Sequence, residues 1–199
     1  MAEQILRLPH PGPRLAAYNG SRLPYEDATF DVVASMYVIE HVTDPSHFLC
    51  EADRVLRPGG LQVLCSPNWS GPHVVAHAAV SVLFRRQRYW QYTTWQDVLV
   101  GFFRSLWWPV AGRYGPRQFV FVRPRMEGGN IAYERADDDC VHLCCPTSLW
   151  RWFDDHGYRL LRRNQGAGKS ALARRVNSVV PALATGNLIV ARKAGASGG

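Results

Sequence analysis

The sequence predicts an α/β fold built on a mostly parallel sheet, and three observations lead there. Phe30-Asp31-Val32-Val33-Ala34-Ser35 is a short apolar run rich in β-branched residues, the pattern of a buried strand. After it, Asp44 stands as an N-cap with Pro45 at the first helical position, and Phe48, Leu49, Ala52, Val55 and Leu56 recur on one helical face. Leu61-Gln62-Val63-Leu64-Cys65-Ser66 then reads as a second buried strand. Strand, helix and strand with short connections form a βαβ unit, whose strands lie parallel in one sheet with a right-handed crossover.

Each further element has its own local signal. Arg57 complements the dipole at the end of the first helix, and Pro58-Gly59-Gly60 is expected to stop it. Residues 71–136 differ in character, with 9 Arg against 3 acidic residues and four of the seven Trp, and are expected to form an insertion or cap. Within them Thr94-Trp95-Gln96-Asp97 has capping-box form, and Trp95, Val98, Leu99, Phe102, Phe103 and Leu106 make a wide apolar helical face ending at Pro109. Gln118 to Val122 reads as a strand, and Gly128-Gly129-Asn130 as a turn into Ile131-Ala132-Tyr133. The α/β pattern then returns. Thr147 is the expected N-cap of a helix whose face is Leu149, Trp150, Trp152 and Phe153, with Gly157 as its stop. Tyr158 to Leu161 reads as a strand, Ser170 to Val180 as a helix, and Asn187 to Arg192 as a closing strand before the tail. The expected organisation is a first part of the core over residues 1–70, the insertion over 71–136, and the C-terminal part of the core over 137–199.

Composition narrows the function classes. With 47% hydrophobic and 20% charged residues, 13 Pro and 17 Gly, the chain is neither disordered nor fibrous. The net charge of +7 is unevenly held: residues 1–68 carry 5 Arg against 8 Asp+Glu, and residues 69–199 carry 18 Lys+Arg against 8. Arg85, Arg86, Arg88, Tyr89, Trp90 and Tyr92 are basic and aromatic, yet no nucleic-acid motif frames them, so a nucleic-acid partner is not expected. Five Cys without a scaffold spacing, and no signal pattern in Met1 to His10, predict a cytoplasmic protein with free thiols. Pro58 to Phe84 holds no charged residue, but its longest unbroken piece, Val74 to Phe84, is well short of the ~20 residues that span a membrane. An apolar stretch followed by Arg85, Arg86 and Arg88 and a Trp-rich helix has two readings. The first is a lid over a substrate pocket; the second is a peripheral helix meeting anionic headgroups.

Two motifs fail on inspection. Gly166-Ala167-Gly168-Lys169-Ser170 ends like a phosphate loop, but Arg163 stands where the first glycine belongs. Cys140-Val141-His142-Leu143-Cys144-Cys145 offers soft ligands without paired knuckles, and no metal is expected.

Three stretches carry a resemblance: Asn19 to Val33, then Val38-Ile39-Glu40-His41-Val42, then Arg54-Val55-Leu56-Arg57-Pro58-Gly59-Gly60. In order and spacing, over about residues 15–68, they resemble class I S-adenosylmethionine-dependent methyltransferases of the small-molecule group related to ubiquinone and menaquinone biosynthesis enzymes. The resemblance implies a Rossmann-like sheet and transfer of a methyl group from S-adenosylmethionine to a small or lipid-like acceptor. It places Asn19 where the family has an Asp that accepts from the adenine amino group, and the backbone of Gly20 beside the purine. Ser35 and Met36, at the end of the family's fourth strand, face the methionine part of the cofactor. His41 follows that strand and is the candidate catalytic base, its other reading being a helix-start or cofactor-packing residue. Trp95, Phe102, Phe103, Trp107 and Trp108 would line a pocket for an apolar acceptor, and Arg85, Arg86 and Arg88 would attract an acidic one.

The chain also departs from the family. The glycine-rich turn after the first strand and the acidic residue ending the second are not visible before Asn19; the sole glycine there is Gly12, and Glu3 beside Ile5-Leu6-Arg7-Leu8 is the one acidic residue. The expected fold is therefore N-terminally truncated. The alternative function is a truncated or pseudo-methyltransferase that acts as a non-catalytic binding or regulatory protein.

Overall fold

The computed structural model describes residues 16, 18, 20–84, 92–116, 118–131, 139–164, 170–180 and 183–195. Strand β1 (Phe30–Met36) leads through a 3-10 turn (Ile39–His41) into α1 (Pro45–Val55). The helix begins where the sequence places it, because the Asp44 carboxylate accepts from the His47 backbone N–H at 2.9 Å and Pro45 has no N–H to satisfy. Strand β2 (Leu56–Pro67) follows without a connecting residue. Its neighbour β1 runs parallel to it, as the strand-helix-strand pattern predicts.

Pro58-Gly59-Gly60 does not separate helix from strand but lies inside β2. The pairing jumps from Phe30 opposite Leu56 to Val32 opposite Leu61, so these residues form a bulge. Gly59 takes φ +78°, and a Cβ at Gly60 would lie 2.7 Å from Leu56 Cδ1 and 2.9 Å from the Asp31 carbonyl oxygen.

The sheet has the order β1-β2-β6-β5, with β5 at Arg159–Arg163 and β6 at Gly186–Arg192. β6 is antiparallel to both β2 and β5, so three of the four strands share one direction and β6 is reversed. One face of the central pair is buried: Gln62, Leu64 and Ser66 of β2 lie opposite Ala191, Ile189 and Asn187 of β6. Leu49 of α1 and Leu149, Trp152 and Phe153 of α4 (Pro146–Asp155) join that face in one core with Ile39, Leu56 and Tyr158. The first strand is not buried as its composition predicts. It is the sheet edge, with Val32 53% and Met36 62% exposed, because it has a strand neighbour on one side only among the described residues.

Helices α2 (Pro72–Leu83) and α3 (Trp95–Tyr114) supply the middle of the chain. The capping box at Thr94 and Asp97 is present in both directions. The helix does not end at Pro109 but runs through it to Tyr114. The buried side of α3 is narrow, formed by Val98, Gly101, Ser105 and Gly112. A Cβ at Gly101 would collide with the Tyr92 ring, and one at Gly112 would collide with Ser148 Oγ and lie 3.0 Å from Thr147 Oγ1. Gln118 to Val122 forms no strand: the chain bends at Gln118 and Phe119 and makes a bridge at Phe121 to His142, held by Val122 N–H to Val141 O at 2.9 Å and Leu143 N–H to Val120 O at 3.0 Å. Strands β3 (Met126–Glu127) and β4 (Asn130–Ile131) form the predicted turn, with Gly128 and Gly129 at positive φ.

The α4 helix starts one residue after Cys145 rather than after Thr147, because Pro146 occupies its first position; Gly157 at φ +74° ends it as predicted. A buried amide joins three segments: Asn187 Nδ2 donates to the Cys144 carbonyl at 2.7 Å and to Ser66 Oγ at 3.1 Å. Asn164 accepts from the Leu188 backbone N–H at 2.6 Å, and helix α5 (Ala171–Val179) lies between β5 and β6 in the chain.

The close seat of α3 on α4 predicts that Gly112→Val costs about 2 kcal/mol in urea denaturation, an overpacking penalty. Leu64→Ala, which empties the buried sheet face, is expected to cost about 3 kcal/mol in the same experiment.

Candidate functional site

The C-terminal end of β1 gathers the unusual geometry. Tyr37, directly after the strand, takes φ +55° while its N–H donates to the Cys65 carbonyl at 2.9 Å, and Met36 and Tyr37 are both exposed. A bulky residue in the left-handed region is strained, and strain of this kind collects at functional sites. Ser35 Oγ is buried with no hydrogen-bond partner among the described residues.

His41 closes the 3-10 turn, its N–H donating to the Val38 carbonyl at 3.0 Å. Its Nδ1 lies 2.9 Å from Asp139 Oδ1 and its Nε2 lies 3.9 Å from Glu40 Oε1. Glu40 is fully buried, and its carbonyl accepts from the N–H groups of Val141 at 2.9 Å and His142 at 3.0 Å. These bonds bring Asp139, nearly a hundred residues away in the chain, to the histidine.

The chain ahead of β1 lies along α1. His47 Nε2 bonds the Ser21 carbonyl, Leu23 N–H donates to Glu51 Oε2 at 2.9 Å, and Ala28 N–H donates to the Arg54 carbonyl at 2.9 Å. The segment therefore runs with the helix, from its first turn to its last. A crossover helix runs opposite to its strands, so its N-terminus, and Gly20 with it, lies at the same end of the unit as Ser35, Met36 and His41. Gly20 has φ +83° and nothing within 4 Å of the place a Cβ would take. Asn19, Glu3 and the stretch searched for a glycine-rich turn lie outside the described residues, apart from residues 16 and 18.

Arg54 holds that segment. Its guanidinium donates to Glu51 Oε1 at 2.9 Å and Oε2 at 3.0 Å, to the carbonyls of Tyr25 at 2.8 Å and Leu23 at 3.0 Å, and to Asp27 Oδ1 at 2.7 Å. The Arg54 hydrogen bonds, helped by the Leu23 N–H, lower the Glu51 carboxyl from 4.5 to about 2 against the opposing effect of burial.

Two hollows meet at Phe121. One, of about 540 Å³, is lined by Asp44, Pro45, Ser46, Gln118, Phe119 and Phe121 at the start of α1. The other, of about 690 Å³, lies beside α3, with Tyr92, Val100, Arg104, Trp108, Phe121 and Arg123 in its wall. Phe121 borders both. Of the aromatic residues expected to line an acceptor pocket, Trp108 lies in the wall of this hollow; Trp95, Phe102, Phe103 and Trp107 are exposed on another side of α3. Arg85, Arg86 and Arg88 lie outside the described residues, as do residues 165–169 of the glycine-lysine stretch.

The Cys-His stretch is a packed interior. Burial pushes the Cys144 thiol well above its ordinary value and lowers His142 to about 4, so both are neutral at pH 7, with His142 Nδ1 3.5 Å from Cys144 Sγ. Among the described residues no group of three or more His, Cys, Asp or Glu side chains is placed to hold a metal ion, and no helix is long and apolar enough to cross a membrane.

Residues 2–64 match the family model of a methyltransferase domain. That segment is similar to methyltransferase domains. The matched segment begins well ahead of the motifs that carried the resemblance and includes β1, the 3-10 turn, α1 and most of β2. An uncharacterized methyltransferase of Mycobacterium sp. (strain JLS) is 46% identical over 61 residues, 31% of this chain and 24% of that protein. A protein of Mycolicibacterium smegmatis, described as a probable S-adenosylmethionine-dependent methyltransferase, is 48% identical over 50 residues, 25% of this chain and 20% of that protein. A demethylmenaquinone methyltransferase of Streptomyces griseus is 38% identical over 64 residues, 31% of this chain and 28% of that protein. The matched part thus spans about a quarter of the length of these relatives, and the resemblance to class I S-adenosylmethionine-dependent methyltransferases is borne out.

Sequence reasoning missed Tyr37, Asp139 and the work of Glu51 and Arg54. Arg54 was legible as part of a motif but not as a clamp, since two of its bonds go to the backbone carbonyls of Leu23 and Tyr25, distant in the chain.

The lowered Glu51 carboxyl sets a pH dependence. Its contribution to stability is fully present above pH 4.5 and is lost as the pH falls toward about 2. Glu51→Gln is therefore expected to lower the thermal midpoint by roughly 3–6 °C at neutral pH. The gap between variant and wild type should close as melts are recorded from pH 4.5 downward.

Proposed function

We propose that this chain is an S-adenosylmethionine-dependent methyltransferase acting on a small or lipid-like acceptor. The observation that carries the reading is the meeting of Ser35, Met36, Gly20 and His41 at one end of the β1-α1-β2 unit, inside the methyltransferase segment. Ligands of open α/β sheets sit outside the carboxyl ends of the parallel strands. The residues described there fit the cofactor: Ser35 Oγ is a buried oxygen still lacking a partner, Met36 is exposed beside it, and Gly20 leaves open the space a side chain would fill. Ser35 and Met36 would hold the methionine part, and Gly20 would lie along the purine with Asn19 accepting from it.

When bound, the cofactor supplies an electrophilic methyl group on a sulfonium. The protein's own part is to position the acceptor and manage its proton. The Asp139 carboxylate, 2.9 Å from His41 Nδ1, would favour the proton on that nitrogen and leave Nε2 as the basic one to take the acceptor's proton. Asp139 is in this sense a positioning residue. The hollow beside α3 suits an acceptor with an apolar body and a negative or electron-rich group, since Tyr92, Trp108 and Phe121 share its wall with Arg104. The demethylmenaquinone methyltransferase relative lends support to an acceptor of this apolar kind.

Calorimetric titration with S-adenosylhomocysteine tests the reading. Micromolar binding is expected; a cooperatively folded chain that binds nothing up to millimolar concentration would overturn it and leave a non-catalytic protein. In an enzyme that transfers methyl groups, His41→Gln should reduce kcat by about 10²–10⁴-fold. Asp139→Asn should reduce kcat and displace the pH profile with little change in KM.

A further inference from the structure

The hollow beside α3, of about 690 Å³, has the size of a small-molecule site. One wall is a single row of the helix, in which Gln96, Val100, Arg104 and Trp108 follow one another four residues apart. The stretch Val120 to Arg123 forms another wall, and Tyr92 joins the lining with its ring against Gly101. Most of the surface that a ligand would meet among the described residues is therefore aromatic or aliphatic.

Packing alone does not account for Arg104 in such a wall. It forms no hydrogen bond or ion pair among the described residues, whereas Arg113 on the same helix is bound to Asp154, and Arg54, Arg57 and Arg151 each have a carboxylate. Its charge reaches the Tyr92 hydroxyl, where it opposes the upward effect of burial, so two hydrogen-bond donors serve one part of the hollow. Arg123 adds a second positive charge to the lining. The acidic side chain there, Asp97, is engaged in the capping box, accepting from Thr93 and Thr94. The described lining is thus net positive and calls for an anion. A guanidinium presents a planar fork of N–H donors that matches both oxygens of a carboxylate, and the rings beside it offer faces and edges to a planar aromatic body.

We propose that this hollow binds an aromatic carboxylic acid, the ring lying among Tyr92, Trp108 and Phe121 and the carboxylate held by Arg104, which makes Arg104 the residue that selects the ligand. Phe121 connects the hollow to the histidine turn: it is bridged to His142, whose N–H donates to the carbonyl of Glu40, the neighbour of His41. That the acid is the methyl acceptor rests on methyl transfer being the activity of this chain; that it binds does not.

Calorimetric titration of the full chain with 2-naphthoate, and with 2-naphthamide as its uncharged counterpart, tests the proposal without cofactor. The acid is expected to bind about tenfold more tightly than the amide, or better, a comparison that needs no variant. Arg104→Gln should remove the difference by weakening the acid alone, and Trp108→Ala should weaken both ligands. Arg104 is exposed, so its variant is expected to keep the wild-type thermal midpoint. Equal affinity for acid and amide, no binding of the acid up to millimolar concentration, or an Arg104→Gln variant that holds the acid as tightly as the wild type would overturn the proposal. So would 2-naphthyl phosphate bound about tenfold more tightly than the acid, which would assign the hollow to a phosphate ester. Acid binding by a chain that does not bind S-adenosylhomocysteine would sustain this site and overturn its part in methyl transfer.

Discussion

The Arg54 guanidinium is the fastening on which the rest of the candidate site depends. Five hydrogen bonds run from it to Glu51, to the carbonyls of Leu23 and Tyr25 and to Asp27. They set the path of the chain before β1 along α1. That path brings Gly20 to the end of the unit where Ser35 and His41 stand, and it fixes how Ala28 and Thr29 deliver the chain into the sheet through bonds to Arg54 and Val55 carbonyls. Arginine suits the task because its planar fork serves a carboxylate and several carbonyls at once. A lysine would carry the same charge without that geometry.

A second constraint comes from the sheet. Its central pair buries one face, and that face is not wholly apolar: Gln62, Ser66 and Asn187 lie among Leu64, Ile189 and Ala191. Asn187 turns this to use by bonding Ser66 Oγ and the Cys144 carbonyl, which anchors the stretch 140–145 over the sheet. The same stretch reaches the Glu40 carbonyl through Val141 and His142, so the buried amide and the placement of Asp139 beside His41 belong to one chain of contacts. Neutral, buried Cys144 and His142 are part of this packing.

The middle of the chain combines two demands on one helix. Small residues let α3 sit close against Tyr92 and α4, and that close seat leaves its large side chains no interior to enter. A helix with an apolar pattern this strong reads, from pattern alone, as one that buries its large residues. The composition is equally good for either orientation, and only the contacts of Gly101 and Gly112 distinguish them.

By itself the sequence determined the β1-α1-β2 unit, its N-cap at Asp44, the capping box at Thr94 and Asp97, the turn at Gly128-Gly129 and the stop at Gly157. These are legible because each rests on residues within a few positions of one another. It also determined the methyltransferase resemblance, since short motifs in a fixed order survive as local pattern. Tertiary structure decided what depends on distant partners. It made β1 an edge among the described residues, turned Pro58-Gly59-Gly60 into a bulge within a strand, ran α3 through Pro109 and turned its aromatic stripe outward. It also brought Asp139 to His41 across the length of the insertion. Local conformational preference is written in neighbouring residues, whereas burial and ionic pairing are properties of surfaces that exist only once the chain has folded.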